Sequence, residues 1–269
     1  MHPFFGTDPH EPMILGHRGA AGDVPENTLL AFETGLAKGA HVLESDIHLS
    51  ADGIPMLLHD AEVDRTTDGH GPISELSFEA IQRLDAGYHF EHEEGGGTSF
   101  RGKGLEIPSL EAAFARFPDA RFNLELKSGG PALARAVVDL VQRFDRTDRT
   151  LLTAAEDPQM AALRETASDS GVALGACAGE VGAFVQAARD GLAPADCVMA
   201  LQVPAGFGGS ALVTKIFVEH AHRYGIAVHV WTINDVPQME TLLDLDVDGL
   251  VTDYPARMRA LLDQRRARA

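Results

Sequence analysis

Positive charge is scarce in this chain. Lysine and arginine number 22 against 40 aspartates and glutamates, a formal net charge of −18. Such a surface repels nucleic acid and anionic membranes, so an anionic ligand needs a local cationic site. Cysteine is nearly absent: Cys177 and Cys197 are the two copies. They fit no close-spaced metal motif, and each lies in or beside an apolar run, which reads as buried free thiols. No apolar run approaches membrane-spanning length. The opening Met1-His2-Pro3-Phe4-Phe5-Gly6-Thr7-Asp8 lacks the basic and long apolar regions of a signal peptide. The expectation is a cytoplasmic protein with no integral membrane segment and no nucleic-acid partner.

The chain does have enough apolar material for one large core, with 269 residues and 45% hydrophobic content, so residues 1–269 read as one domain. Strand-like runs alternate with helix-like patterns, the mark of β/α units. Candidate strands fall at 13–17, 41–46, 54–59, 121–127, 149–154, 172–177, 196–202, 226–232 and 248–252. That is one more than an eight-stranded barrel holds. The segment 47–53 is too short for a parallel crossover, which needs about a dozen residues. Strand 54–59 is therefore expected to fold back as a hairpin about Asp52-Gly53, bringing His59 opposite Asp46. The other eight strands make a TIM (β/α)8 barrel, an α/β fold.

Helices are expected at about 27–38, 109–117, 131–145, 157–170, 180–190, 210–224, 236–244 and 255–267. The sixth places Val213, Ile216, Phe217, His220 and Tyr224 along one face. Residues 47–108 form an insertion after the second strand, expected as a small cap on the catalytic face. Within it, the acidic, glycine-rich Glu91–Gly97 reads as a mobile loop.

Polar residues recur where these strands end: His17-Arg18, Glu44 and Asp46, His59-Asp60, Glu125 and Lys127. A parallel barrel gathers such positions on the face where barrel enzymes do chemistry. Glu44 and Asp46 are two apart and share a strand face, as do Glu125 and Lys127. Three inward carboxylates repel unless a cation intervenes, and all-oxygen ligation suits Mg²⁺ or Ca²⁺ better than zinc. Arg18 offers a planar fork for phosphate oxygens, and Gly19 beside it permits close backbone approach to a ligand. With Lys127, a divalent cation and a phosphodiester, the charges sum to zero. Glu44 or Glu125 taken alone is better read as a salt-bridge partner of Lys127 or Arg18, and it is the three carboxylates together at strand ends that favour a metal. His17 and His59 titrate near neutrality, so one can act as base while the other acts as acid. His41, His220 and His229 read as ordinary barrel or helix residues, and His89 and His92 as solvated. Trp231, the sole tryptophan, ends a strand and either packs in the core or walls the pocket. Pro25-Glu26-Asn27-Thr28 reads as a helix start with Asn27 as its cap, and Thr252-Asp253-Tyr254-Pro255 as another helix start.

These segments resemble the glycerophosphodiester phosphodiesterase family. The resemblance runs in family order through Gly16-His17-Arg18-Gly19-Ala20, Pro25-Glu26-Asn27-Thr28, Glu44-Ser45-Asp46, Asp52-Gly53, His59-Asp60, Arg65-Thr66-Thr67-Asp68-Gly69-His70-Gly71, Ile107-Pro108-Ser109-Leu110-Glu111, Leu124-Glu125-Leu126-Lys127, Trp231-Thr232-Ile233-Asn234 and Thr252-Asp253-Tyr254-Pro255. It implies a TIM barrel with an insertion. It implies His17 and His59 as the acid/base pair, Glu44, Asp46 and Glu125 as ligands of one Mg²⁺ or Ca²⁺, and Arg18 and Lys127 as the phosphate holders. The implied reaction cleaves a small-molecule glycerophosphodiester to sn-glycerol 3-phosphate and an alcohol, with water or the glycerol 2-hydroxyl as nucleophile and His59 as the acid. Thr153-Ala154-Ala155-Glu156 and Leu201-Gln202-Val203-Pro204 depart from the family pattern at the expected pocket rim. The competing readings are a phospholipase D-like lyase acting on lysophospholipids, a non-catalytic glycerophosphodiester-binding protein, and an unrelated metal-dependent barrel acting on carbonyl compounds.

Overall fold

In the computed structural model, residues 2–6, 11–92, 100–195 and 197–268 are described. The chain runs β1 (Met13–Gly16), α1 (Leu29–Ala37), β2 (Val42–Leu49), β3 (Pro55–Leu57), α2 (Phe78–Ile81), α3 (Leu110–Arg116), β4 (Arg121–Leu126), α4 (Gly130–Arg143), β5 (Thr150–Thr153) and α5 (Asp157–Ala167). It continues through β6 (Ala173–Leu174), α6 (Ala178–Asp190), β7 (Ala200–Pro204), β8 (Gly206–Phe207), β9 (Ser210–Ala211), α7 (Lys215–Arg223), β10 (Ala227–Trp231), α8 (Val236–Asp244), β11 (Gly249–Thr252) and α9 (Pro255–Arg268). Parallel pairing follows the order β6-β5-β4-β2-β1-β11-β10-β7, and a parallel bridge from Gly175 to Ala200 joins the two ends. This is the nearly closed eight-stranded parallel barrel expected of the sequence.

Alternation along each strand decides what faces inward. On β2, Leu43 and Ile47 point out and pack with Phe32, Phe114 and Phe122 against the helices. Val42 points in and joins Phe4, Met13, Leu15, Leu151, Ala173, Ala200, Ala227 and Val251 at the barrel floor. Further along the same inward face come Glu44, Asp46 and His48, all buried. The interior is thus apolar at the bottom and ionisable at the top. The opposite half of the outer layer packs α6 to α9 on β7, β10 and β11 through Phe184, Phe217, Val228, Met258 and their neighbours.

The insertion builds a small core of its own from Met56, Leu58, Val63, Ile73, Ile81 and Ile107. Its hairpin exists, but its register is one residue from expectation: Ile47 pairs with Leu57 and Leu49 with Pro55. Leu58 N–H donates to the Asp46 carbonyl at 3.1 Å, so Leu58 and not His59 stands opposite Asp46. Three residues, Ala51 to Gly53, form the loop, with Gly53 at φ +79°. That longer connection is a common hairpin solution. The mobile-loop expectation for 91–97 falls mainly on residues outside those described.

Several local expectations need correction. Thr28, not Asn27, caps α1, accepting from Ala31 N–H at 3.1 Å. Asn27 sits at φ +55° and accepts a 2.6 Å hydrogen bond from Ser45 Oγ. Gly19 is also required by packing: at φ +92°, a Cβ there would lie 2.4 Å from the Ala31 carbonyl carbon of α1. The sixth barrel helix begins at Lys215, because Ser210–Ala211 pairs with Gly206–Phe207 as a hairpin. Ile216 consequently points outward, 68% exposed, while Val213, Phe217 and His220 are buried. Cys177 is buried but Cys197 is exposed.

His229 on β10 is fully buried, and neither ring nitrogen has a hydrogen-bond partner among the described residues. Burial pushes its pKa down to about 4 from 6.5. The unfolded chain therefore binds the extra proton between those pH values. This stabilising contribution is complete above pH about 6.5 and is lost as pH falls toward 4, a change of about 3 kcal/mol. Denaturant unfolding at pH 7.5, 6 and 5 should show that slope, and His229→Leu should flatten it. The variant should lose little stability at pH 7.5, since no hydrogen bond is removed. An unchanged slope in the variant would refute this account.

Candidate active site

At the C-terminal end of the barrel lies a cavity of about 350 Å³. All eight residues singled out in the sequence, His17, Arg18, Glu44, Asp46, His59, Glu125, Lys127 and Trp231, line it. They arrive from separate elements: β1, β2, the segment after β3, β4 and β10. Trp231 is 45% exposed, so it walls the pocket and does not pack in the core.

Each histidine is held by an aspartate. His17 Nδ1 lies 2.6 Å from Asp253 Oδ1. Asp253 is fixed in turn by Asn234, whose Nδ2 donates to Asp253 Oδ2 at 2.6 Å. His59 Nδ1 lies 2.6 Å from Asp60 Oδ1. A carboxylate on Nδ1 keeps the proton there and leaves Nε2 for chemistry. Burial would lower the His17 pKa, but the Asp253 hydrogen bond and the Glu44 charge outweigh it and raise the pKa above 6.5. Burial would raise the Asp253 pKa, and the His17 hydrogen bond overrides it and holds the carboxyl below its usual range.

Sequence reasoning missed Asp253, reading its segment as a helix start. It also passed over His48. That side chain is buried on the same face of β2 as Glu44 and Asp46, and its Nε2 lies 3.1 Å from the His59 carbonyl. His48 steadies the backbone of the catalytic candidate. The two-residue spacing of Glu44, Asp46 and His48 was the available signal.

Carboxylates and cations interlock on the opposite side. Arg18 N–H donates to Glu44 Oε2 at 3.1 Å, and Arg18 Nη1 to Glu26 Oε1 at 2.8 Å. Lys127 Nζ lies 2.9 Å from both Asp46 Oδ1 and Glu125 Oε2. Burial would lower the Lys127 pKa, but the Asp46 and Glu125 charges raise it. Burial, reinforced by the Asp46 charge, pushes Glu44 up to about 7.

These residues fit a hard cation in one respect and constrain it in another. Asp46 Oδ2 is buried without a hydrogen-bond donor, and Glu44 beside it is short of neutralising charge. Two buried carboxylates in this condition suit an oxygen-liganded divalent ion. Among the described residues, however, no three His, Cys, Asp or Glu side chains stand close enough to hold one ion. Lys127 occupies the place between Asp46 and Glu125, so joint ligation by all three carboxylates needs its ammonium to yield.

The rim departures noted in the sequence fall inside the cavity: Thr153, Ala155 and Gln202 line it. Gly175 makes room for two of them. A Cβ at that position would come within 2.9 Å of both Gln202 Oε1 and Thr153 Oγ1.

A parallel barrel whose mouth joins two aspartate-buttressed imidazoles, an acidic cluster and two cations belongs to the class of barrel hydrolases that act on phosphate esters. The profile of the glycerophosphoryl diester phosphodiesterase family matches residues 17–257, and the chain belongs to this family. A glycerophosphodiester phosphodiesterase of Caldanaerobacter subterraneus subsp. tengcongensis is 28% identical over 249 residues, covering 90% of this chain and 94% of that one. Among solved structures, a putative glycerophosphoryl diester phosphodiesterase from Silicibacter pomeroyi superposes with a TM-score of 0.79 at 24% identity, covering 98% and 99% of the two chains. A phosphodiesterase from Oleispira antarctica, solved with the product sn-glycerol 3-phosphate, gives a TM-score of 0.78 at 25% identity, covering 94% and 97%.

Asp253→Asn leaves the side-chain shape but offers an amide to His17 Nδ1. It should lower kcat by about 100-fold or more, with KM and melting temperature little changed. Steady-state kinetics beside thermal unfolding would check this, and a kcat near that of the native protein would rule out the buttress.

Proposed function

We propose that this protein hydrolyses glycerophosphodiesters to sn-glycerol 3-phosphate and an alcohol, using His17 and His59 as its acid/base pair. The observation that carries the reading is the convergence on one cavity of both imidazoles, each on an aspartate, with Glu44, Asp46, Glu125, Arg18 and Lys127. Retention of the whole set favours catalysis over simple binding. The product held by the Oleispira antarctica phosphodiesterase agrees in class with the reaction.

Glu44, Asp46 and Glu125 would hold one Mg²⁺ or Ca²⁺. Such an ion would supply positive charge against the negative charge of the reacting phosphodiester. The protein's own groups do the rest. Arg18 and Lys127 orient the phosphate and oppose its charge. His17, held as the Nδ1–H tautomer by Asp253, takes the proton of the nucleophile at Nε2. His59, with its Nδ1–H on Asp60 and acting as the imidazolium, gives its Nε2 proton to the departing alkoxide and is left as the neutral Nδ1–H form. Trp231 offers an apolar wall to the organic part of the substrate. The nucleophile is water or the glycerol 2-hydroxyl, and capture of a cyclic glycerol phosphate would identify the second. The free Cys197 thiol, exposed, suits a reducing compartment, so we place the protein in the cytoplasm. Among the described residues, no helix is long and apolar enough to cross a membrane.

The test uses purified protein with glycerophosphocholine, glycerophosphoethanolamine, glycerophosphoglycerol and lysophosphatidylcholine, with Mg²⁺ or Ca²⁺ against EDTA. Glycerol 3-phosphate should appear with the cation, vanish with EDTA, and fall by about 100-fold or more in His17→Ala and His59→Ala. Mg²⁺ or Ca²⁺ should also raise the melting temperature of the native protein but not of Glu44→Gln. Turnover unchanged in both histidine variants would end the assignment. Release of choline from lysophosphatidylcholine alone would favour the lyase.

A further inference from the structure

The Arg65-Thr66-Thr67 segment has no part in the chemistry above, yet Arg65 touches both of its arms. Its Nε donates to Asp60 Oδ2 at 2.5 Å. Its Nη1 and Nη2 donate to Glu26 Oε2 and Oε1 at 2.8 and 2.7 Å. Each of these carboxylates has a second partner in the cavity. Asp60 uses Oδ1 to hold His59 Nδ1 at 2.6 Å. Glu26 uses Oε1 to hold Arg18 Nη1 at 2.8 Å. We propose that Arg65 is a positioning residue that sets His59 and Arg18 in one geometry, acting through Asp60 and Glu26. The proposal rests on the roles given to His59 and Arg18 above.

Geometry separates this contact from an ordinary surface ion pair, which contributes little. The guanidinium is forked onto Glu26 through two nitrogens while the third nitrogen serves Asp60. That arrangement fixes both carboxylate planes, and a point charge such as lysine cannot reproduce it. Glu26 is largely covered, at 17% side-chain exposure. Burial would raise its pKa, and the Arg65 hydrogen bond with the Arg18 charge reverses this. Burial works against the Asp60 charge in the same way, and Arg65 and His59 together hold that carboxyl below its usual range.

The fold explains why such a strut is needed. His59 follows β3 in the insertion, whereas Arg18 and Glu26 lie in the loop between β1 and α1. Packing of the barrel holds the second group, and the insertion's own small core holds the first. Arg65, itself in the insertion, spans the two. Without it, Asp60 has one fewer constraint on its rotation, and Glu26 draws on Arg18 alone. Imidazole and guanidinium then lose their common frame, and displacements of about 1 Å at reacting groups cost about 100-fold in rate.

The experiment compares Arg65→Lys, Arg65→Ala, Asp60→Asn and the Asp60→Asn/Arg65→Lys double variant with the native protein on glycerophosphocholine, with His59→Ala alongside. Arg65→Lys keeps the charge and should fold, yet kcat should fall about tenfold or more. Guanidinium ion should restore part of the Arg65→Ala activity in a saturable way, which a merely structural loss would not permit. The double variant should lose less than the product of the two single losses, because the Asp60 arm is common to both while the Glu26 arm is lost only with Arg65. Arg65→Lys with kcat within about twofold of native, absence of guanidinium rescue, or multiplied losses in the double variant would each overturn the proposal. Full activity in His59→Ala would remove the catalytic reading and Arg65's role with it. An inactive His59→Ala beside a normal Arg65→Lys would remove only the latter.

Discussion

Two carboxylates buried side by side shape everything at the mouth of this barrel. Glu44 and Asp46 project from alternate positions of β2 into the same cavity. At close range in a poorly solvated space, like charges cost far more than in water. Burial, with the Asp46 charge beside it, leaves the pKa of Glu44 raised to about 7. The surrounding cations are the compensation. Lys127 lies against Asp46 and Glu125, and Arg18 offers its backbone N–H to Glu44 while its guanidinium lies 3.5 Å from Asp46. A site built this way holds its buried carboxylates only with cationic side chains drawn in beside them.

The two imidazoles meet a common problem with a common device. Each comes from a different part of the chain, and each has an aspartate 2.6 Å from Nδ1. The supports differ in depth. Asp253 lies at the end of β11 and is held by Asn234 from the loop after β10. Asp60 lies in the insertion and is held by the half-exposed Arg65. One histidine is anchored to the barrel wall and the other to the cap, so the geometry between them depends on how well the cap is tied down.

The cavity is also divided around the ring of strands. Among the described lining residues, the charged groups come from β1, β2, the segment after β3, and β4. Thr153, Ala155, Ala176, Gln202 and Trp231 come from the β5, β6, β7 and β10 side, and all are neutral. The cavity is therefore charged on one half of its lining and neutral on the other. The absence of a side chain at Gly175 lets Thr153 and Gln202 approach across β6.

Periodicity and spacing were enough for the barrel, the insertion and the cluster of strand-end residues. Hydrophobic alternation is a local property, and the short 47–53 segment permits only a hairpin. The register of that hairpin was not legible. The loop takes three residues where the Asp-Gly pair suggested two, and hydrogen bonding at Ser50 and Ile54 decides between them. The β8–β9 hairpin was hidden because Gly206 to Ala211 has no apolar alternation, and the solvent exposure of these strands shows why. The residues that line the cavity could be guessed from position along a strand, but their partners could not. The pairs His17 with Asp253 and Arg65 with Glu26 join residues 236 and 39 positions apart, and such contacts exist only once the barrel has closed. The sequence by itself determined which side chains face inward at the strand ends, because alternation follows from backbone geometry. Only the tertiary structure decided which of them touch, and with what charge, because those depend on burial and on neighbours brought together by folding.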